Sequence, residues 1–165
     1  MRRALCVVSL IVLGSLAAAV PASAQTVEFN AHLQAPFGIR NNGQCSFCGS
    51  AHIDGFGKAS TTFTLTSFVP NGCTTITGVG RFTLDHDGST LDIAVEAALC
   101  YPGASNEAPD DVHTPSHGDP FQATGTFEFS GGTGVFANAA GGGTVTGIGA
   151  GDSIVLDYTG TITRP

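Results

Sequence analysis

Apolar and polar residues alternate along most of this chain with a period of two. Such a period is typical of a β-strand that buries one face and exposes the other to water. The clearest case is 121–129, where apolar and small residues share one parity and Gln, Thr and Glu occupy the other. No segment repeats apolar residues at the spacing of an amphipathic helix. Strands are predicted at 27–33, 59–69, 73–84, 91–100, 121–129, from 144 onward and at 154–162, with a short strand near 51–53.

Glycine-rich segments separate several of these strands and predict tight turns. The segment 130–132 is expected to end the strand at 121–129, because glycine reaches positive φ without a Cβ clash. Phe136 is the large apolar side chain of the connection, and we expect it to point inward and plug one end of the core. The glycines at 141–143 are expected to end the connection. The residues assigned to this structural turn are Gly131, Gly132, Gly134 and Phe136.

The segment 73–100 reads as a β-hairpin. Its two alternating arms are joined by 85–88, which ends in Asp-Gly, a dipeptide that favours hairpin turns. Gly78 and Gly80 lie inside the first arm and predict a bend or bulge. Shorter turns are expected at 70–72 and 150–152.

Together these strands predict an all-β chain, folded as an antiparallel β-barrel of about seven or eight strands. Barrel closure removes the exposed sheet edges that otherwise template aggregation. Glycines inside the strands suit a strongly curved sheet. A β-sandwich of two packed sheets is the alternative.

The stretch 124–147 also carries a resemblance to known proteins. The segment 127–143 fits the pattern FxxxGGTGxFxxAxGxG, which resembles repeats in small secreted bacterial glycine-rich β proteins of unknown function. Its GGTGxF turn is similar to one in the allene oxide cyclase and dirigent-like β-barrels. The resemblance covers 121–149 and more thinly 57–100, and it implies an eight-stranded barrel with an apolar central cavity. The catalytic residues of those families lie on other strands and match no position here, so none is carried over.

The first 24 residues predict a secretory signal peptide. Two arginines precede an apolar run, which ends in an Ala-x-Ala cleavage site at residues 22–24. We expect cleavage after Ala24, no membrane anchor, and export to the periplasm or beyond. Residues 25–165 then form a single all-β domain with long loops at 34–57 and 101–120.

The charge of the exported domain is strongly negative. Removing Arg2 and Arg3 leaves four basic residues against 13 acids, a net charge of −9. A nucleic-acid-binding protein needs Lys and Arg to neutralise phosphates, so nucleic acid is not an expected partner. Anionic membrane surfaces are disfavoured for the same reason. We expect a monomer or a small homo-oligomer.

Four cysteines of the exported domain predict two disulfides. Cys73 opens one arm of the hairpin and Cys100 closes the other, which favours Cys73–Cys100 with Cys45–Cys48 as a local staple. The crossed pairings of these four residues stay open. A redox role for Cys45 and Cys48 lacks the βαβ context of such motifs, and a zinc site lacks ligand spacing in the second pair.

The segment 101–120 holds weak candidate metal ligands, because imidazole and carboxylate groups can bind transition metals. A solvated acidic loop is the favoured interpretation of the same residues, since a loop spreads such ligands without fixing their geometry, and no cofactor is expected. The candidates are His113, His117, Asp110, Asp111 and Asp119.

Catalytic machinery is not evident in the sequence. The mid-strand acids have the parity opposite to the apolar residues, which places them outside the predicted barrel, and no serine lies in a nucleophile motif. These acids are Asp92, Glu96, Glu128 and Asp157. A binding or structural module is therefore favoured over an enzyme.

Two main functions are compatible with these patterns. The first is a secreted barrel that binds a small apolar ligand or serves as a structural exported module. The alternative is an isomerase or stereochemical guide like the allene oxide cyclases and dirigent proteins, which requires a carboxylate or tyrosine in the cavity. Tyr158 has core parity and is the candidate for that position. A weaker third hypothesis is self-assembly through the Gly/Thr-rich face.

Overall fold

The computed structural model describes residues 24–36, 48–71, 73–100, 118–151 and 153–164. These residues form eight antiparallel strands, each paired with its neighbours in the chain. The predicted signal peptide and most of the two predicted long loops lie outside the described residues. The strands are β1 Gln25–Pro36, β2 Gly49–Ile53, β3 Gly57–Asn71, β4 Cys73–Leu84, β5 Thr90–Cys100, β6 Gly118–Gly132, β7 Ala140–Gly151 and β8 Ser153–Arg164.

The sheet is a closed barrel, which confirms the predicted fold class and decides against the β-sandwich. Closure is made by β1 and β8, which pair along their full length from Gln25↔Arg164 to Pro36↔Ser153. The last strand thus returns to the first, and the ring is thinnest at the short β2, which pairs with β1 from Ala31 to Gln34 and with β3 from Gly57 to Thr61.

The predicted alternation sorts side chains between the interior and the solvent. On β6, Phe121, Ala123, Phe127 and Phe129 are buried, whereas the intervening Gln, Thr and Glu side chains are exposed. Strands β1, β5 and β8 follow the same rule. The interior of this ring is therefore the hydrophobic core, and the parity read from the sequence is confirmed.

One end of the barrel is closed by an aromatic plug. Here β1 begins, β8 ends, and the connections at 54–56, 85–89 and 133–139 join the strands. Phe136 is fully buried, as expected, and its ring centroid lies 4.8 Å from that of Phe56. The Arg164 guanidinium stacks over the outer Phe56 ring at 4.9 Å. We call this the closed end, and the opposite end, which carries Cys73 and Cys100, the disulfide end.

Below the plug, five aromatic rings fill the closed half of the barrel. Phe29 lies at the centre, with its ring centroid 4.9 Å from Phe129, 5.9 Å from Phe127 and 6.4 Å from Phe82. Tyr158 joins the group through Phe127 and Phe82, at 5.3 and 5.7 Å. Edge-to-face pairs of this kind each add about 0.5–1.5 kcal/mol beyond the burial of their area. We call these five residues the aromatic floor.

Two predictions about the glycine-rich stretch were wrong. The segment 130–132 does not end the strand, because β6 runs to Gly132. Ile93 pairs with Phe129 and Asp92 with Gly131, so Ser130 is the extra residue of a β-bulge. The chain reverses instead in a 3₁₀ turn, Gly134–Phe136, which follows β6.

No helix in the described part of the chain is long and apolar enough to span a membrane.

The second wrong prediction concerns the glycines at 141–143, which belong to β7 and not to a turn. A Cβ on Gly143 would lie 2.6 Å from the Cα of Gly160 and would also collide with the Thr159 carbonyl. Glycine is needed here because the backbones of β7 and β8 approach closely. The run of glycines therefore reflects close strand packing and not the end of a connection.

The predicted loop limits also need correction. β1 extends to Pro36, and the short strand expected near 51–53 is confirmed as β2, so the 34–57 segment is partly strand. β6 begins at Gly118, which shortens the second predicted loop. The irregularity expected at the β4 glycines lies on β3, between Leu65 and Ser67, opposite Gly78.

We predict that Gly134→Ala destabilises the barrel more than Gly88→Ala. Both glycines have positive φ, +59° and +72°, so both substitutions carry the left-handed backbone penalty of about 1–2 kcal/mol. Only at Gly134 would the new Cβ collide, with the Ser89 Oγ that accepts a hydrogen bond from the Val135 N–H. Overpacking adds about 1–3 kcal/mol, and urea unfolding measures the difference. Equal losses in the two variants would contradict this account of the turn.

Candidate functional site

The barrel holds an apolar cavity in its disulfide half. Its volume is about 30 Å³, room for roughly two water molecules. Every strand except the short β2 contributes at least one lining side chain. The lining residues are Leu33, Phe63, Ile76, Val95, Ala97, Leu99, Ala123, Val145, Ile154, Leu156 and Tyr158.

The cavity exists because side-chain size changes along the barrel. Near the closed end the interior positions are occupied by the aromatic floor, whereas Ala97 and Ala123 occupy interior positions near the disulfide end. An eight-stranded barrel has an interior just wide enough for side chains to fill. Small side chains at these positions therefore leave space.

Phe63 forms one wall of the cavity, and its position depends on the β4 glycines. A Cβ on Gly78 would lie 2.5 Å from the Phe63 ring, and one on Gly80 would lie 2.8 Å from it. The ring therefore lies directly against the β4 backbone. A larger residue at either position would displace Phe63 into the cavity.

Several strand ends meet at the disulfide end, where β1 and β5 end and β2 and β6 begin. The disulfide Cys73–Cys100, with an S–S distance of 2.08 Å, joins β4 to β5 at the same end. It confirms the pairing inferred from the hairpin. Cys48 is also disulfide-bonded, and since Cys45 lies outside the described residues, Cys45–Cys48 stays a prediction.

Tyr158 is the polar side chain of the lining. It is 3% exposed, which confirms its predicted core position. Burial raises the pKa of its phenol, because the charged phenolate is poorly stabilised in an apolar interior. The side chain is therefore a neutral hydrogen-bonding group at neutral pH.

The mid-strand acids lie outside the barrel, as their parity predicted. Glu96, Glu128 and Asp157 are exposed, and Asp92 is half-buried against Arg81. Arg81 donates to both Asp92 carboxylate oxygens, over 2.6 and 3.1 Å. None of these carboxylates reaches the cavity, so they do not supply acid–base chemistry there.

Most of the candidate metal ligands lie outside the described residues. These are His113, His117, Asp110 and Asp111, whereas Asp119 lies on β6. A metal site at these residues stays a prediction. Within the described ranges, no group of three or more His, Cys, Asp or Glu side chains could hold a metal ion.

Sequence reasoning missed one pair on the outer surface. His32 on β1 and Asp157 on β8 are register partners, and His32 Nδ1 lies 2.7 Å from Asp157 Oδ1. Both side chains are more than half exposed. The pair can be recognised only when β1 and β8 are known to be neighbours. An exposed pair of this kind contributes about 1 kcal/mol or less to the free energy of unfolding.

Comparisons of the chain with protein-family models, curated proteins and solved structures found no match. The resemblance to allene oxide cyclase and dirigent-like barrels therefore stays a prediction. The functional argument depends on the geometry of the cavity and its one phenol.

The buried phenol predicts a loss of stability at alkaline pH. Unfolded tyrosine ionises near pH 10, whereas folded Tyr158 holds its proton to higher pH, so above about pH 10 the unfolded state binds fewer protons. The free energy of unfolding should therefore fall by about 1.4 kcal/mol per pH unit from this group, until pH passes its folded pKa. Urea unfolding should show a loss of about 1.4 kcal/mol in total from this group between pH 9 and 11 in the native protein, and no such loss in Tyr158→Phe. An identical pH dependence in both proteins would contradict the burial of the phenol.

Proposed function

We propose that this chain is exported after removal of residues 1–24 and binds a small apolar molecule inside the disulfide half of the barrel. The observation that carries the proposal is the apolar cavity, whose lining is aliphatic and aromatic apart from one phenol. A predicted signal peptide and the Cys73–Cys100 disulfide are both consistent with an oxidising, exported location.

Burial of apolar surface supplies the driving force for such binding. Each Å² of apolar surface that leaves water contributes about 25 cal/mol. The lining residues carry no formal charge, so a charged ligand would enter without a partner and lose its hydration. An uncharged, mainly apolar molecule is the class that this lining accepts.

The size of the cavity limits how a ligand enters. About 30 Å³ holds water-sized objects, so any larger molecule must widen the space. The aromatic floor is closely packed and blocks expansion toward the closed end. Widening is therefore expected on the side away from the aromatic floor, where Leu156 is half-buried and lines the cavity.

A structural exported module is the second candidate, and the small volume of the cavity favours it. In that case the barrel interior is filled by its own side chains, and the cavity is only a packing defect.

An isomerase or stereochemical guide is less supported. Tyr158 supplies the required tyrosine, but its raised pKa keeps the phenol protonated at neutral pH, so it is not available as a base. The described mid-strand acids face away from the cavity.

We predict that Ala97→Leu strongly weakens the binding of benzene, a small uncharged probe, whereas Ala94→Leu leaves it intact. Ala97 lines the cavity, so leucine fills the space that the ligand needs. Ala94 is exposed on the same strand, so the same substitution there changes only the outer surface. Saturation-transfer NMR titration should show at least a tenfold weaker affinity for Ala97→Leu alone.

Thermal unfolding controls for folding, because overpacking the core costs about 1–3 kcal/mol. Equal affinity in both folded variants would place the benzene elsewhere and contradict the proposed site. No saturable benzene binding by the native protein would favour the structural module.

A further inference from the structure

Tyr158 is a polar residue in an otherwise apolar site. The other lining residues are Ala, Val, Leu, Ile and Phe, and Tyr158 is 3% exposed. Its position is fixed by the sheet, where it pairs with Ala31 on β1 and with Val145 on β7. A phenylalanine would fill the same space without bringing a hydroxyl group into the core.

The Tyr158 hydroxyl has no hydrogen-bond partner among the described residues. The ring that carries it packs edge to face against Phe82 and Phe127. Buried hydroxyl groups normally find a partner, and an unpaired one needs an explanation.

The hydroxyl is nevertheless not sealed inside the protein. Among the described side chains, the polar atom that is fully enclosed and unpartnered is Arg164 Nε, at the closed end. The Tyr158 oxygen therefore keeps contact with open space. Since Tyr158 lines the cavity, that space is the cavity.

Packing against Phe82 and Phe127 holds the ring in one place. The ring centroids lie 5.7 and 5.3 Å away, with interplanar angles of 87° and 70°. The hydroxyl is thus a hydrogen-bonding group presented by a rigid element to an apolar space. Small-molecule sites commonly have this form, with apolar walls and few placed polar groups that set orientation.

We propose that the ligand is a small, uncharged, mainly apolar molecule with a carbonyl oxygen, and that the Tyr158 hydroxyl donates a hydrogen bond to that oxygen. This inference rests on the proposed function of the cavity. A neutral phenol is a good donor, and a carbonyl accepts without bringing a proton that would itself need a partner. A carboxylate is excluded because the lining holds no cation to pair with it. An alcohol that accepts from Tyr158 leaves its own hydroxyl proton unpaired.

The test compares cyclohexanone with methylenecyclohexane, which has the same shape but a CH₂ group in place of the carbonyl oxygen. Dissociation constants of both probes are measured by NMR titration for the native protein and for Tyr158→Phe. We expect Tyr158→Phe to weaken cyclohexanone binding by about fivefold to tenfold, the effect of losing one hydrogen bond. Methylenecyclohexane binding should change by less than about twofold, since its only contacts are apolar. The dissociation constant of each probe is compared between the two proteins, so the difference in hydration between the two probes cancels.

A similar change for both probes would overturn the inference while leaving the cavity proposal intact. If neither probe binds the native barrel, the proposed function and this inference fail together. Binding of methylenecyclohexane without any loss of cyclohexanone affinity in Tyr158→Phe would show that the hydroxyl plays no part in recognition.

The melting temperature of Tyr158→Phe gives an independent readout without any ligand. An unpartnered hydroxyl stabilises nothing in the free protein, so removing it should leave the melting temperature unchanged or raise it. A clear fall would show that the hydroxyl is already satisfied within the protein, which would overturn the inference. Ala94→Leu serves as the matched outer-surface control in both measurements.

Discussion

The hydrogen-bonded seam between β1 and β8 is the constraint on which the rest of the structure depends. Once these strands pair from Gln25↔Arg164 to Pro36↔Ser153, the sheet becomes a ring. In a ring each strand residue points either into the core or out to water. Alternation along the sequence then determines what the interior contains, and the sizes of those inward side chains determine how much space is left.

The interior is divided unequally between the two ends. Phe136 and the aromatic floor fill the closed half, whereas Ala97 and Ala123 help to leave the cavity in the disulfide half. The Cys73–Cys100 disulfide lies at the disulfide end as well. The proposed ligand binding rests on this combination of a filled closed half and an apolar cavity beside it. Tyr158 lies at the boundary, since it packs on the floor and lines the cavity.

Much of the fold could be predicted from local patterns. The 73–100 hairpin, the parity of β6 and the inward position of Phe136 all follow from residues close together in sequence. The glycine-rich segments were harder because glycine has two uses. It permits a turn, as at Gly134, and it permits close approach of strands, as at Gly143, and a single sequence does not distinguish the two.

The candidate site was less predictable, because it depends on contacts between distant residues. Core parity identified Tyr158 as an inward residue, but its unpartnered hydroxyl depends on which rings surround it. The cavity depends on alanines from β5 and β6 that lie diagonally across the ladder between these strands, since Ala97 pairs with Gly125 and Leu99 with Ala123. The His32–Asp157 pair likewise required knowledge that β1 meets β8.

Locating a small apolar probe within the folded barrel tests the central claim most directly. The experiment is a benzene titration of methyl-labelled protein, followed by ¹³C-methyl NMR. The account predicts saturable shifts at cavity methyl groups such as those of Leu33, Ile76 and Ile154. The outer methyl groups of Val79 and Ile148, which are 54% and 62% exposed, should stay unperturbed. Shifts confined to those outer residues, or no saturable shift anywhere, would contradict the account.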